Sequence, residues 1–180
     1  MNKPEIFDEK IVYESKIFTV KELFVRQKNG KVKTWYTVQR IPVVCILPIT
    51  SGNEVFLVSQ HRVVLGKDTI ELTSGFVENN EDFLKAAKRE LKEETGIQAK
   101  RWDELASIQS SGGSLQAPFY LFLARDLEFG KTEFDEDEDI RVLKMSLEDA
   151  VQKVLSEEIK HAPSIVGILK ADRLLRDKKI

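Results

Sequence analysis

The sequence predicts an α+β or layered α/β/α core, and three observations predict it. Runs of β-branched and aromatic residues dominate the chain up to Leu72. One long amphipathic stretch, about Glu81 to Glu94, interrupts the strands. Further strand-like runs follow, and two helical stretches close the chain. Strands, helix, strands and helices in that order suit a sheet covered by helices.

The elements follow from local chemistry. Phe18 to Arg26 and Val32 to Val38 read as two strands joined at Asn29-Gly30, a strong type I′ hairpin signal. Ile11-Val12-Tyr13 adds a third. Pro42 interrupts before the next strand, which sets residues 1–39 apart as an N-terminal β subdomain and 40–180 as the main domain. Val43 to Ile49 is almost continuously apolar, as for a strand buried on both faces. Ser51-Gly52-Asn53 turns the chain into Glu54 to Ser59, and Thr69 to Leu72 is a short strand beyond the Gly66-Lys67-Asp68 loop. Leu84, Ala87 and Leu91 recur at helical spacing and give the long helix a buried stripe, with Gly96 as its stop. After the polar loop at Ser110–Ser114, Pro118 to Ala124 is an apolar strand. Phe134 to Asp139 is an acidic loop and Arg141 to Met145 a strand. Ser146 and Asp149 form a capping box that opens a helix to about Glu157. The last helix runs from about Ala162 or Ser164 to Leu175.

Composition excludes several function classes. The chain has 180 residues, 28 Lys plus Arg against 30 Asp plus Glu, and a net charge of −2. That balance argues against a dedicated nucleic-acid binder. A single cysteine, Cys45, permits no disulfide framework, and its apolar neighbours mark it as a buried hydrophobe. Two histidines, His61 and His161, are too few for a His-rich zinc centre. No apolar run is long enough to span a bilayer, and Met1 to Glu5 lacks a signal-peptide core, so the expected location is cytoplasmic.

The chemistry concentrates in Gly75 to Ile97, GFVENNEDFLKAAKRELKEETGI. Glu90 and Glu94 lie one helical turn apart and project to the same side, with Glu93 bordering it. Arg89 is placed to pair with Glu93 or Glu81. Like charges gathered at a helix C-terminus repel one another and oppose the helix dipole. A hard divalent cation would remove both penalties, and magnesium takes carboxylate oxygens while bridging to phosphates. A solvated helix face explains an isolated Glu-Glu pair but not this whole pattern.

The pattern is similar to the signature of the Nudix hydrolases. Gly75, Glu81, Arg89, Glu90, Leu91, Glu93, Glu94, Gly96 and Ile97 fill every slot of it. Seven fixed identities coincide by chance in roughly one chain of this length per million. Gln60-His61-Arg62, Glu71 to Gly75, the Ser-Gly-Gly loop, the acidic segment and the N-terminal hairpin all resemble the ADP-ribose pyrophosphatase branch. The resemblance implies a Nudix fold: an α/β/α sandwich with a mixed sheet and a small N-terminal antiparallel β subdomain that helps build a homodimer and the neighbour's substrate site. It implies Mg²⁺ (or Mn²⁺) on Glu90, Glu94 and Glu93, with the Ser74 backbone carbonyl as a further ligand. Arg89 matches the arginine that orients the glutamates. Glu136 and Glu138 match the loop that supplies a general base, Glu136 being favoured. Arg62 matches a phosphate contact, Arg40 is a weaker substrate candidate, and Gln116 stands where a ribose contact often occurs.

The implied reaction is hydrolysis of the pyrophosphate bond of a nucleoside diphosphate sugar, giving a nucleoside monophosphate and a sugar phosphate. No nucleic acid and no membrane enter it. The chain departs from the branch at Leu72-Thr73-Ser74-Gly75, usually Leu-Pro-Ala-Gly, and at Ser110-Ser111-Gly112, usually Ser-Pro-Gly. These changes spare the metal site and bear on which sugar and base are accepted. The alternatives are a non-catalytic nucleotide-sugar sensor and a hydrolase of another nucleotide such as capped RNA, which would want a basic channel.

Overall fold

A computed structural model describes residues 3–130 and 140–179. In chain order the first strands are β1 (Glu5–Glu14), β2 (Phe18–Arg26), β3 (Val32–Arg40), β4 (Val43–Pro48) and β5 (Glu54–Arg62). After a short 3₁₀ turn come β6 (Lys67–Glu71), β7 (Thr73–Phe76) and helix α1 (Phe83–Thr95). β8 (Ile97–Gln109), β9 (Leu115–Gln116), β10 (Pro118–Phe129) and β11 (Ile140–Ser146) follow. Helices α2 (Leu147–Leu155) and α3 (Ala162–Arg176) end the chain. Among the described residues no helix is long and apolar enough to cross a membrane.

The chain divides into two compact units. The first comprises Met1–Pro42 and Gln109–Phe119. Its sheet has the order β1-β2-β3-β9, with β3 and β9 parallel and the other pairs antiparallel. β1 is longer than the sequence suggests because charged residues punctuate its apolar ones, and all ten of its residues are exposed. The β2–β3 turn also differs from the type I′ expectation. That turn needs two left-handed residues, and here Gly30 is left-handed at φ 79° while Asn29 is not. Gly30 N–H donates to Gln27 O (2.9 Å), and Asn29 Oδ1 accepts from Lys31 N–H (3.1 Å).

The second unit comprises Val43–Ile108 and Tyr120–Ile180. One sheet runs β7-β4-β10-β8 and a second β11-β5-β6. Residues alternate sides along a strand. Val44 and Ile46 on β4, with Phe122 and Ala124 on β10, pack against Ala86, Ala87 and Leu91 of α1. The other side, represented by Leu121, meets α3 at Gly167. Helices therefore cover both faces of this sheet, as the layered expectation requires. β4 is buried throughout, including Cys45.

Both strong capping signals are realised. Ser146 Oγ accepts the Asp149 N–H at 3.0 Å and donates to the Asp149 carboxylate. Gly96 ends α1 at φ 67°, its N–H donating to Lys92 O. The N-cap of α1 is Asp82, whose carboxylate accepts from Leu84 and Lys85 N–H, one residue beyond the expected start. β8 was not expected. Its thirteen residues are half polar or charged and only loosely alternating, so no apolar run announces it.

An ion pair ties β5 to β6. Arg62 donates two hydrogen bonds to the buried Glu71 carboxylate, at 3.0 and 2.7 Å, and Thr69 Oγ1 donates a third at 2.6 Å. Burial pushes the Glu71 carboxyl up, but the Arg62 and Thr69 hydrogen bonds and the charges of His161 and Arg62 outweigh it, leaving it below the ordinary value. A lowered folded-state pKa stabilises above the unfolded carboxylate's pKa of about 4.3 and stops doing so as pH falls through the folded value. Arg62→Met should therefore cost about 1–2 kcal/mol at pH 7, less than for a fully buried pair because Arg62 is partly solvated. The cost should shrink toward pH 3.5. Urea midpoints at both pH values check this, and an equal loss at each would contradict it.

Candidate active site

The site grows from the C-terminal half of α1 and the strand beneath it, both in the second unit. Helical spacing places Glu90 and Glu94 one turn apart, and Arg89 beside them. Arg89 pairs with both partners that the spacing offered. Nε and Nη2 donate to the two oxygens of Glu81 at 3.1 and 3.0 Å. Nη1 donates to Glu90 Oε1 at 2.7 Å and to Glu93 Oε2 at 3.1 Å. Nη2 also donates to the Phe76 carbonyl at 3.0 Å. One planar guanidinium thus joins three carboxylates and the end of β7.

The electrostatics follow from this geometry. Arg89 is held above its already high pKa, first by the Glu81 hydrogen bonds and against some burial. Glu81 is held below the ordinary carboxylate value, chiefly by its hydrogen bonds from Arg89. Three negative groups around one positive group leave an excess of two, before Glu94 is counted. Glu94 is buried, and its Oε2 lies 3.3 Å from the Ser74 N–H that donates to it.

Gly75 explains how Glu90 reaches this place. A Cβ on Gly75 would sit 1.9–2.3 Å from the Glu90 carboxylate atoms. The backbone of β7 and the Glu90 side chain therefore occupy space that any other residue would claim. β7 is held there by its antiparallel pairing with β4, Val44 opposite Gly75 and Cys45 opposite Ser74. Glycine at this point is a requirement of close approach rather than of turning.

The structure brings Ser74, Gly75, Glu81, Arg89, Glu90, Glu93 and Glu94 together. Arg62 lies in the same unit, bound to Glu71. Arg40 and Gln116 belong to the first unit, where Gln116 Oε1 accepts from Gln39 Nε2 at 3.1 Å. Glu136 and Glu138 lie outside the described residues. Two contributors escaped the sequence reading. The Phe76 carbonyl carries no side-chain signal. Glu71 could have been paired with Arg62 by folding the chain back across Gly66, which sets Arg62 opposite Lys67.

Chemically, this end of α1 offers carboxylate oxygens and backbone carbonyls and no softer donor. Such a set suits a hard divalent cation. Among the described residues no three His, Cys, Asp or Glu side chains already converge as a ligand cage. Glu90 and Glu93 face Arg89 instead.

Known proteins place this geometry in a family. The NUDIX domain model matches residues 39–166. An ADP-ribose pyrophosphatase of Bacillus subtilis is 32% identical over 168 residues, covering 89% of this chain and 91% of the relative. A methanol dehydrogenase activator of Bacillus methanolicus is 27% identical over 171 residues, covering 91% and 92%. A crystal structure of an ADP compounds hydrolase superposes with a TM-score of 0.87 at 22% identity, covering 99% of this chain and 97% of that one. With its arginine-centred glutamates folded under a glycine of β7, and a matched region well over half its length, this chain belongs to the Nudix family.

Proposed function

We propose that this chain hydrolyses the pyrophosphate bond of a nucleoside diphosphate sugar of the ADP-ribose type, releasing a nucleoside monophosphate and a sugar phosphate. The observation that carries this reading is the intact Arg89–glutamate cluster packed against Gly75. The likeness to an ADP-ribose pyrophosphatase supports the substrate class.

Glu90, Glu94 and Glu93, with the Ser74 carbonyl, would hold Mg²⁺, Mn²⁺ being an acceptable substitute. Held there, such an ion would supply Lewis acidity to a bound water and to the leaving phosphate. Arg89, through its hydrogen bonds to Glu90 and Glu93, is assigned to orient these carboxylates. Arg62, already oriented by Glu71, is assigned to the diphosphate, since a guanidinium suits paired phosphate oxygens. Glu136 or Glu138 is assigned as the base that takes the water's proton. Arg40 and Gln116 are assigned to the remainder of the substrate. We place the reaction in the cytoplasm, in keeping with a lone buried cysteine.

The test is phosphate release with Mg²⁺ from ADP-ribose, ADP-glucose, UDP-glucose, GDP-mannose and a capped RNA. Turnover confined to the nucleotide sugars is expected, and turnover of capped RNA alone would reject the assignment. Glu94→Gln should lower kcat at least a hundredfold while the fold persists. Gly75→Ala is informative in a different way. Its methyl meets the flexible end of Glu90, which can swing aside, so the melting temperature should move little while turnover falls at least tenfold. Full activity in Gly75→Ala would show that the position of Glu90 is immaterial.

We further propose a homodimer built through residues 1–39. The support is an exposed apolar set on β1 and β3: Ile6 (56% exposed), Ile11 (52%), Val12 (55%), Trp35 (49%) and Tyr36 (58%). Light scattering should return twice the 20.6 kDa chain mass. Val12→Glu with Trp35→Glu should return the monomer, and a monomeric wild type would end the proposal.

A further inference from the structure

The segment that carries Ser74 and Gly75 is also held from its other side. Leu72, between β6 and β7, is fully buried, and its N–H donates to Ser164 Oγ at 2.8 Å. Ser164 is itself fully buried in the first turns of α3. His161 Nδ1 stands 2.8 Å from Ser164 Oγ and 3.5 Å from Glu71 Oε2. Three residues further along α3, a Cβ on Gly167 would lie 2.8 Å from Leu72 Cδ1. The helix thus grips Leu72 by its amide and by its side chain.

This group is not a second catalytic centre. Ser164 and Glu71 address the same ring nitrogen of His161, whereas a nucleophilic relay needs them on opposite nitrogens. Ser164 also has no accessible surface to offer a substrate. What it does have is control of a backbone amide two residues before Ser74. From Leu72 the chain runs directly to the Ser74 N–H that meets Glu94 and to the Gly75 that admits Glu90.

We propose that Ser164 is a positioning residue for the glutamate site. By anchoring the Leu72 amide it fixes the path of Leu72 to Gly75, and through it the placement of Glu90 and Glu94. Its bearing on a cation rests on the reading of the site given above. Its bearing on the backbone does not.

The test compares wild type, Ser164→Ala and Ile168→Val. Ile168 is a fully buried α3 residue whose shortening disturbs packing without removing the hydroxyl. Mn²⁺ binding to the full chain is read from the free-ion paramagnetic signal, and amide exchange at Leu72 to Gly75 is read without metal. Ser164→Ala should bind Mn²⁺ about tenfold more weakly, the range seen when a group behind a metal ligand is lost. Its Ser74 amide should exchange faster, while KM for the nucleotide at saturating metal stays at the wild-type value. Ile168→Val should lose stability and keep both affinity and exchange. Wild-type affinity with wild-type Ser74 exchange in Ser164→Ala would overturn the proposal, as would equal weakening in Ile168→Val. A wild type that binds no Mn²⁺ would overturn the cation reading and the affinity claim with it. Faster Ser74 exchange in Ser164→Ala would then support control of the backbone alone, and unchanged exchange would overturn that too.

Discussion

The second unit depends at its functional end on one guanidinium. Arg89 bonds Glu81 before the helix, Glu90 and Glu93 within it, and the Phe76 carbonyl at the end of β7. Without it, three carboxylates would share a small volume uncompensated, and Glu93, in the last turn of α1, would also be opposed by the helix dipole. Lysine would keep the charge but not the fork that meets three partners and a carbonyl in fixed directions. The same residue therefore makes the acidic cluster compatible with folding and leaves it incompletely neutralised.

The parts of this arrangement legible in the sequence are those governed by short spacing. Arg89 with Glu93, Ser146 with Asp149, and Gly96 as a stop depend on separations of a few residues that helix geometry converts into contacts. Glu81, eight residues from Arg89 and just before the helix, is reached by the length of the arginine side chain. The layered α+β architecture was legible too, because β4 is wholly apolar and α1 carries a clear stripe. β8 was not, because a strand rich in Lys, Arg, Asp, Glu and Gln carries little apolar alternation. The Asn29-Gly30 signal placed the hairpin correctly and its backbone conformation wrongly, since only the glycine is left-handed.

Contacts set by register or by tertiary approach were beyond reach of the sequence. Gly75 reads as a residue that permits a sharp turn or a close backbone approach, but the sequence does not say that the approaching group is a carboxylate from α1. Glu71 reads as an ordinary strand residue, yet it is a buried anion shared by Arg62, Thr69 and, at longer range, His161. Ser164 reads as a helix-start residue, yet it takes an amide 92 positions away. These three lie on different elements, and each acts on the short stretch from Glu71 to Gly75. That stretch passes from one sheet of the second unit to the other and is held by both α1 and α3.

β1 sits at the end of its sheet with every residue exposed. Such an edge can recruit further strands without limit and seed fibrils. Two features of β1 work against that outcome. Its register with β2 breaks between Ile6 and Asp8 and again between Ile11 and Tyr13, so its ladder is not continuous. Glu5, Asp8, Glu9, Lys10 and Glu14 spread charge along its length, and four of these five are acidic. A stacked repeat of this strand in register would set like charges beside one another at each of those positions. The edge can thus lend its apolar residues to a closed assembly and still resist open-ended polymerisation in a crowded cell.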